Sequence, residues 1–267
     1  MLLHPVQRLP MVAPRLGGRA RPAKRGGAVS KSFVVISAHV GDFVWRCGGA
    51  IALHTRAGYS GTIICLAYGE RGESAKLFAD PEMTAERARA IRRSEAEAAA
   101  KVLGAEIVFL DGTDYMLRYT DTEVHKAAAI LRELQPEFIL THPEHDPSNL
   151  DHVTAHRFAL EARMVAQAHG HPGGQIIGAP QVFCFEPHQA ELCRFVPDTL
   201  LDITEVWPTK RQAMECLAGQ QPLWAYYENV AEQRGAVSRR RQKGGATGKP
   251  YAEAFQKVFP TVVARLG

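Results

Sequence analysis

The stretch VVISAHVGDFVWRCGGAIALH, residues 34–54, decides the architecture. A β-branched apolar run ends at His39, and sequence of helical character carrying a glycine pair starts at about Asp42. A short, almost continuously apolar strand that turns straight into a helix is the opening of a βα unit, whose strand is buried on both faces. His39 and Asp42 stand at the strand's carboxyl end with Gly41 beside the aspartate.

The same alternation runs on along the chain. FVVIS (33–37), TIICLA (62–67), EIVFL (106–110), EFILTH (137–142) and QVFCFE (181–186) read as buried strands. Helical stretches at about 43–57, 84–103, 121–134 and 151–168 lie between them. In the second of these, Ala88, Ile91, Ala98 and Val102 form an apolar stripe, Glu95 lies on it as a paired or snorkelling carboxylate, and Gly104 supplies the stop. The pattern predicts an α/β, Rossmann-like three-layer sandwich with a mainly parallel sheet. From 205 to 267 the sequence reads as a helical C-terminal elaboration, interrupted by a Gly/Lys/Arg-rich gap at 234–249.

Charge separates two regions. Residues 1–31 contain seven Lys/Arg and no acid, although the whole chain sums to only +4. That basic segment is rich in Gly, Pro and Ala without a helical or strand period, and reads as a disordered N-terminal extension preceding one domain, 32–267. An upstream start site also explains it; the pattern lacks the amphipathic, Ser-rich character of an organelle-targeting peptide. The acidic remainder is a poor nucleic-acid surface, which leaves the basic arm as the alternative contact. No apolar run approaches the roughly 18 residues that a membrane span needs. Five scattered cysteines without a CxxC pair suit reduced thiols of a cytoplasmic protein.

Ligands of open α/β sheets bind beyond the carboxyl ends of the strands. Five segments rich in polar and charged residues converge there: His39 with Asp42, GERGES (69–74), DGTDY (111–115), HPEHDPSNLDH (142–152) and PHQ (187–189). His39 and Asp42 are spaced to face one ion, and His152 can complete a set of three that leaves a catalytic divalent metal one open position. Asp151 is then a ligand-orienting group. Asp42 as a helix cap and His152 as an ordinary histidine are the plainer readings of the same residues.

SAHVGDFVWRCGGAIA resembles the opening motif of the LmbE-like family, which includes the PIG-L type N-acetylglucosaminyl deacetylases; HDPSNLDH resembles the family's later H-x-D-H element. The resemblance implies one zinc ion per chain on His39, Asp42 and His152. It also exposes two departures. The family's A-H-P-D-D motif places the deacetylase base where this chain has Gly41, and the first His of H-x-D-H, which assists the tetrahedral intermediate, is Asn149 here. The implied metal ligands are kept while both groups that work on an amide are missing.

CLAYGERGESAKL, AEAAAKVLG, QPEFILTH, IIGAP, FEPHQ, LLDIT and YAEAFQKVFP further resemble one branch of the family, the 4-oxalomesaconate hydratases of gallate and protocatechuate breakdown. That likeness implies a hydro-lyase adding water to an unsaturated oxo-tricarboxylate, a homo-oligomer, and Glu73 and His188 as the groups that move protons. Capping of a following helix and a structural hydrogen bond are their plainer roles. Arg46, Arg71 and Lys76 are candidates for binding the substrate's carboxylates; Asp114, Tyr115, His142 and His145 are candidates for the rim or for support of the ligands. Manganese and iron suit two imidazoles and a carboxylate as zinc does. The rivals are a deacetylase of the same family working through another base, and a non-catalytic metal-stabilised binding protein.

Overall fold

The structure, a computed structural model, describes residues 31–240 and 248–265. The expectation of a disordered arm at 1–31 therefore falls, but for Lys31, outside the described residues. Seven strands form one sheet: β1 (Ser32–Ser37), β2 (Ser60–Ala67), β3 (Glu106–Gly112), β4 (Phe138–Thr141), β5 (Gln181–Phe185), β6 (Thr199–Asp202) and β7 (Ala252–Lys257). The order is β3-β2-β1-β4-β5-β7-β6. The first five are parallel neighbours, while β7 runs antiparallel to both β5 and β6. Six α-helices accompany them: α1 (Asp42–Arg56), α2 (Ala85–Leu103), α3 (Asp121–Leu134), α4 (Leu150–Gln167), α5 (Trp207–Glu215) and α6 (Leu223–Arg239).

Strand periodicity builds the three layers. Successive residues of β1 serve opposite faces: Phe33 and Val35 join a core with α1, α2, α5 and α6, whereas Val34 and Ile36 join a second core with α3 and α4. All six residues of β1 are buried, as a central parallel strand requires. No helix among the described residues is long and apolar enough to cross a membrane.

Three expectations need correction. The tail after 205 is not wholly helical: β7 enters the sheet between β5 and β6. Its AEAFQK sequence has helix-prone composition, but pairing on both sides and burial of Ala252–Phe255 outweigh that preference. The supposed gap from 234 is helix as far as Arg239. On α2 the buried stripe is Ala88, Arg92, Ala96, Ala99 and Leu103, while Ala98 is exposed. A fully buried arginine at a core position, answered by Glu95 at 2.6 Å, disguised the true face.

The first helix is not continuous. Helix α1 breaks at Cys47, whose φ of −143° is not helical. The second half restarts at the glycine pair, where the Glu253 carboxylate of β7 accepts from the Gly49 and Ala50 amides at 2.7 Å each. Lys210 of α5, also buried, donates to Glu253 Oε1 at 2.7 Å and to the Trp45 carbonyl at 2.9 Å, so the carbonyl next to the break is satisfied. A Cβ on Gly49 would stand 2.6 Å from the Ile203 side chain, just past β6, so the helix and that segment can meet this closely only through glycine.

Candidate active site

The turn after β1 is built by Asp42. Its Oδ2 accepts from the His39 amide at 2.9 Å, and the Ser37 hydroxyl donates to the His39 carbonyl at 2.6 Å. Gly41, rather than Asp42, occupies the N-cap position of α1. Asp42 is thus free of the capping role and faces inward beside His39.

His39, Asp42, Glu73 and His152 each offer one ligand atom, and the four atoms lie within 4.8 Å of one another. His39 Nδ1 is 3.0 Å from Glu73 Oε1 and 3.5 Å from Asp42 Oδ2; His152 Nε2 is 3.5 Å from Asp42 Oδ1 and 3.9 Å from Glu73 Oε1. Both nitrogens are buried and neither is aligned into a hydrogen bond. The other nitrogen of each ring is held by a carboxylate: His39 Nε2 by Asp151 at 3.1 Å, His152 Nδ1 by Asp146 at 2.8 Å. Carboxylate–imidazole pairs of this kind orient metal-binding histidines and make them better donors. Tetrahedral zinc with bonds of about 2.0–2.1 Å needs ligand atoms roughly 3.3 Å apart. The residues fit a divalent ion.

The surroundings give the same answer electrostatically. Burial opposes charge on His39, but the carboxylates of Glu73, Asp151 and Asp42 outweigh it and hold the ring's pKa well above the usual value. Burial likewise resists ionisation of Asp42, yet His152, His142 and Arg46 keep it a carboxylate. Glu73 is also pulled down against its burial, chiefly by His39. Two carboxylates and two imidazoles in one buried cluster form a site that a cation would stabilise.

Neighbouring loops aim these groups. Asp114 accepts from the Arg71 amide at 3.1 Å and the Gly72 amide at 2.7 Å, which fixes the loop carrying Glu73. Asn149 caps α4 by accepting from the Asp151 amide at 3.1 Å, and its Nδ2 approaches Glu73 Oε1 and the Tyr115 hydroxyl at 3.4 Å each. His142 stacks on His152 with ring centroids 4.3 Å apart and accepts from the Ala38 amide at 3.0 Å, so it braces the cluster. His145 is exposed.

A cavity of about 230 Å³ opens beside the cluster and is lined by Asp42, Glu73 and His152, with His188, Arg46, Trp45, Asn149, Gln220 and Tyr227 among the other walls. His188 stacks on Tyr226 at 4.1 Å and its Nδ1 lies 3.4 Å from the Tyr227 hydroxyl, leaving Nε2 for the cavity. Burial lowers its pKa, and Arg46 adds to that. Arg46 is buried with its Nε 3.2 Å from Asp42 Oδ1, and its Nη1 has no hydrogen-bond partner. Arg71 is exposed, and Lys76 donates to the Ala218 carbonyl and Gln221; neither lines the cavity.

At residue 41 a Cβ would stand 2.5 Å from both Gln220 Oε1 and Trp45 Nε1. Neither atom can easily yield: Gln220 is held by Arg92 Nη2 at 2.5 Å, and the indole stacks on Tyr227 at 5.4 Å. Any side chain at residue 41 is therefore blocked. Asp146, Trp45, Gln220 and Tyr227 escaped the sequence reading. Asp146 alone had a visible signal, six residues before His152 within HDPSNLDH.

Comparison with known proteins gives the family. The family model described as PIG-L, GlcNAc-PI de-N-acetylase, matches residues 34–163. A 4-oxalmesaconate hydratase of Pseudomonas putida is 51% identical over 239 residues, covering 88% of this chain and 92% of the relative. The crystal structure of the 4-carboxy-2-hydroxymuconate hydratase GalB from the same species superposes with a TM-score of 0.85 at 50% identity, covering 89% of this chain and all of that one. N,N'-diacetylchitobiose deacetylase from Pyrococcus horikoshii shares the fold at a TM-score of 0.70 and 22% identity, over 86% of this chain and 84% of its own. Half-identical to one member along nearly the whole of both proteins, this chain belongs to the PIG-L family.

Proposed function

We propose that this chain is a metal-dependent hydratase that adds water across the carbon–carbon double bond of 4-oxalomesaconate, giving 4-carboxy-4-hydroxy-2-oxoadipate. The name of the Pseudomonas putida 4-oxalmesaconate hydratase, 51% identical over most of both chains, supports the substrate, and that of the 4-carboxy-2-hydroxymuconate hydratase structure from the same species supports the reaction type. The observation that carries the reaction type is the blocked position at Gly41, the place of the family's amide-cleaving base, beside an intact ligand cluster.

In this reading His39, Asp42 and His152 hold one zinc ion per chain. When bound, the ion supplies Lewis acidity, drawing electron density from substrate oxygens and making water more acidic. Glu73, ionised and at the cavity wall, accepts the proton that the attacking water loses as its oxygen joins C4. His188 delivers the proton that the neighbouring carbon gains, so that H and OH together account for one water. Its lowered pKa leaves it neutral in the empty site, but an arriving tricarboxylate brings negative charge that favours the imidazolium. Arg46, with Nη1 unpartnered, binds a substrate carboxylate. Residues 32–267 form the catalytic unit and assemble as a homo-oligomer, which light scattering would check.

A paired assay tests the reading. Purified protein should convert 4-oxalomesaconate to a product heavier by one water and release no acetate from N-acetylglucosamine conjugates. Acetate release without hydration would overturn it in favour of a deacetylase; neither reaction from a metal-loaded protein would favour a binding protein.

A further inference from the structure

The wall of the cavity contributed by α1 and by the turn before α6 holds donors that the proton-transfer scheme does not use. Trp45 Nε1 is buried and unpartnered, and Arg46 Nη1 next to it is likewise unpartnered. Gln220 completes the wall. Its orientation follows from chemistry: Arg92 can only donate, so the side chain must turn its oxygen toward Arg92 Nη2. What Gln220 has left to offer the cavity is its amide NH₂.

Arg92 itself is fully buried and anchored by Glu95, whose other oxygen accepts from the Gly219 amide at 2.8 Å. The residue before Gln220 is thus tied to α2 as well. An indole N–H, a guanidinium and an amide NH₂, with the one acceptor among them, Gln220 Oε1, taken up by Arg92, make a wall complementary to a planar anion. Leaving such donors desolvated without an acceptor costs more than a surface group would, so the wall gains most when a carboxylate arrives.

We propose that Trp45, Arg46 and Gln220 form a carboxylate-binding subsite, with Arg92 as the residue that positions Gln220. The subsite takes one carboxylate of the substrate and turns its double bond toward Glu73 and the ligand cluster. It also bears on Gly41: a Cβ there would stand 2.5 Å from Trp45 Nε1, one of the subsite's donors, and 2.5 Å from the Gln220 oxygen that Arg92 holds. This inference rests on the hydratase reading for its substrate, although the donor wall is a property of the structure alone.

Gln220→Glu tests it, because a carboxylate still satisfies Arg92 while the NH₂ is replaced by a repelling oxygen. Loss of a hydrogen bond to a charged group should raise KM for 4-oxalomesaconate about tenfold to a hundredfold, with melting temperature preserved. Calorimetric titration with tricarballylate, an unreactive tricarboxylate, should weaken by the same factor, which reads the subsite even if the hydratase assignment fails. Arg92→Lys should raise KM in the parent background and add little in Gln220→Glu. KM and tricarballylate affinity within twofold of the parent in Gln220→Glu would overturn the subsite. If Gln220→Glu does not fold, Trp45→Phe decides: it keeps the ring stack and removes the N–H, so KM and tricarballylate affinity should worsen about threefold to tenfold, and no change in either would overturn the proposal.

Discussion

The two sides of the cavity are built by different means. On one side, His39, Asp42, Glu73 and His152 come from the turns and helix starts that follow β1, β2 and β4, and the two rings are held by the carboxylates of Asp151 and Asp146. On the other, Trp45, Tyr226, Tyr227, His188 and Gln220 are set by ring stacking and by buried ion pairs reaching from α2, α5 and β7. The first side is a charge cluster whose geometry suits a cation. The second side has the rings and donors that suit an organic anion. The lesson is that the opposite wall, and not the cluster, sets what can stand beside Asp42, because the blocked space at Gly41 belongs to the second side.

The largest effect is expected on the cluster side. His152→Ala removes a proposed ligand atom and the imidazole partner of Asp146 Oδ2, so the variant should lose both the ion and hydration; full metal content by elemental analysis would place the third ligand elsewhere. From the opposite wall, His188→Asn should keep the metal and lower kcat by about two to four orders of magnitude, the usual worth of a positioned acid. Near-parental turnover there would leave the wall with binding alone.

Lys210→Met probes the support behind that wall. Breaking a buried pair strands Glu253 as an unpaired charge, which costs roughly 3–5 kcal/mol, read as a shift in the urea midpoint. A midpoint unchanged from the parent would mean that the break in α1 at Cys47 does not depend on this pair. The smallest effect is expected from deleting residues 1–28, which lack an apolar period: melting temperature and turnover should both stay at parental values. Loss of either would give that segment a place in the catalytic unit.

Legibility in the sequence followed the same division. The five parallel strands were readable because each is a continuous apolar run bounded by turns, and His39, Asp42 and His152 because strand ends converge in this class of sheet. The second side comes from segments far apart in the chain, joined only by tertiary packing. Gln220 lies in a short turn with no motif, and Arg92 hides on a helix where a charge at a core position conceals the stripe. Glu253 sits in a strand whose alanines and glutamate resemble helix, so its role in capping the second half of α1 had no local signal. Arg71 and Lys76 looked suitable because they share a loop with Glu73, but residues two and three apart on a loop need not face the same way.

Glu73 stands among the ligand atoms and yet is assigned to move a proton, so it carries the central claim. Glu73→Gln keeps its size and one oxygen while removing the basic carboxylate. Elemental analysis and turnover measured on the same preparation should give about one divalent ion per chain, as three remaining ligands allow, with hydration of 4-oxalomesaconate reduced by about two to four orders of magnitude. Loss of the ion would make Glu73 a ligand, and turnover near the parent's with the ion retained would remove it from the chemistry; either result contradicts the assignment.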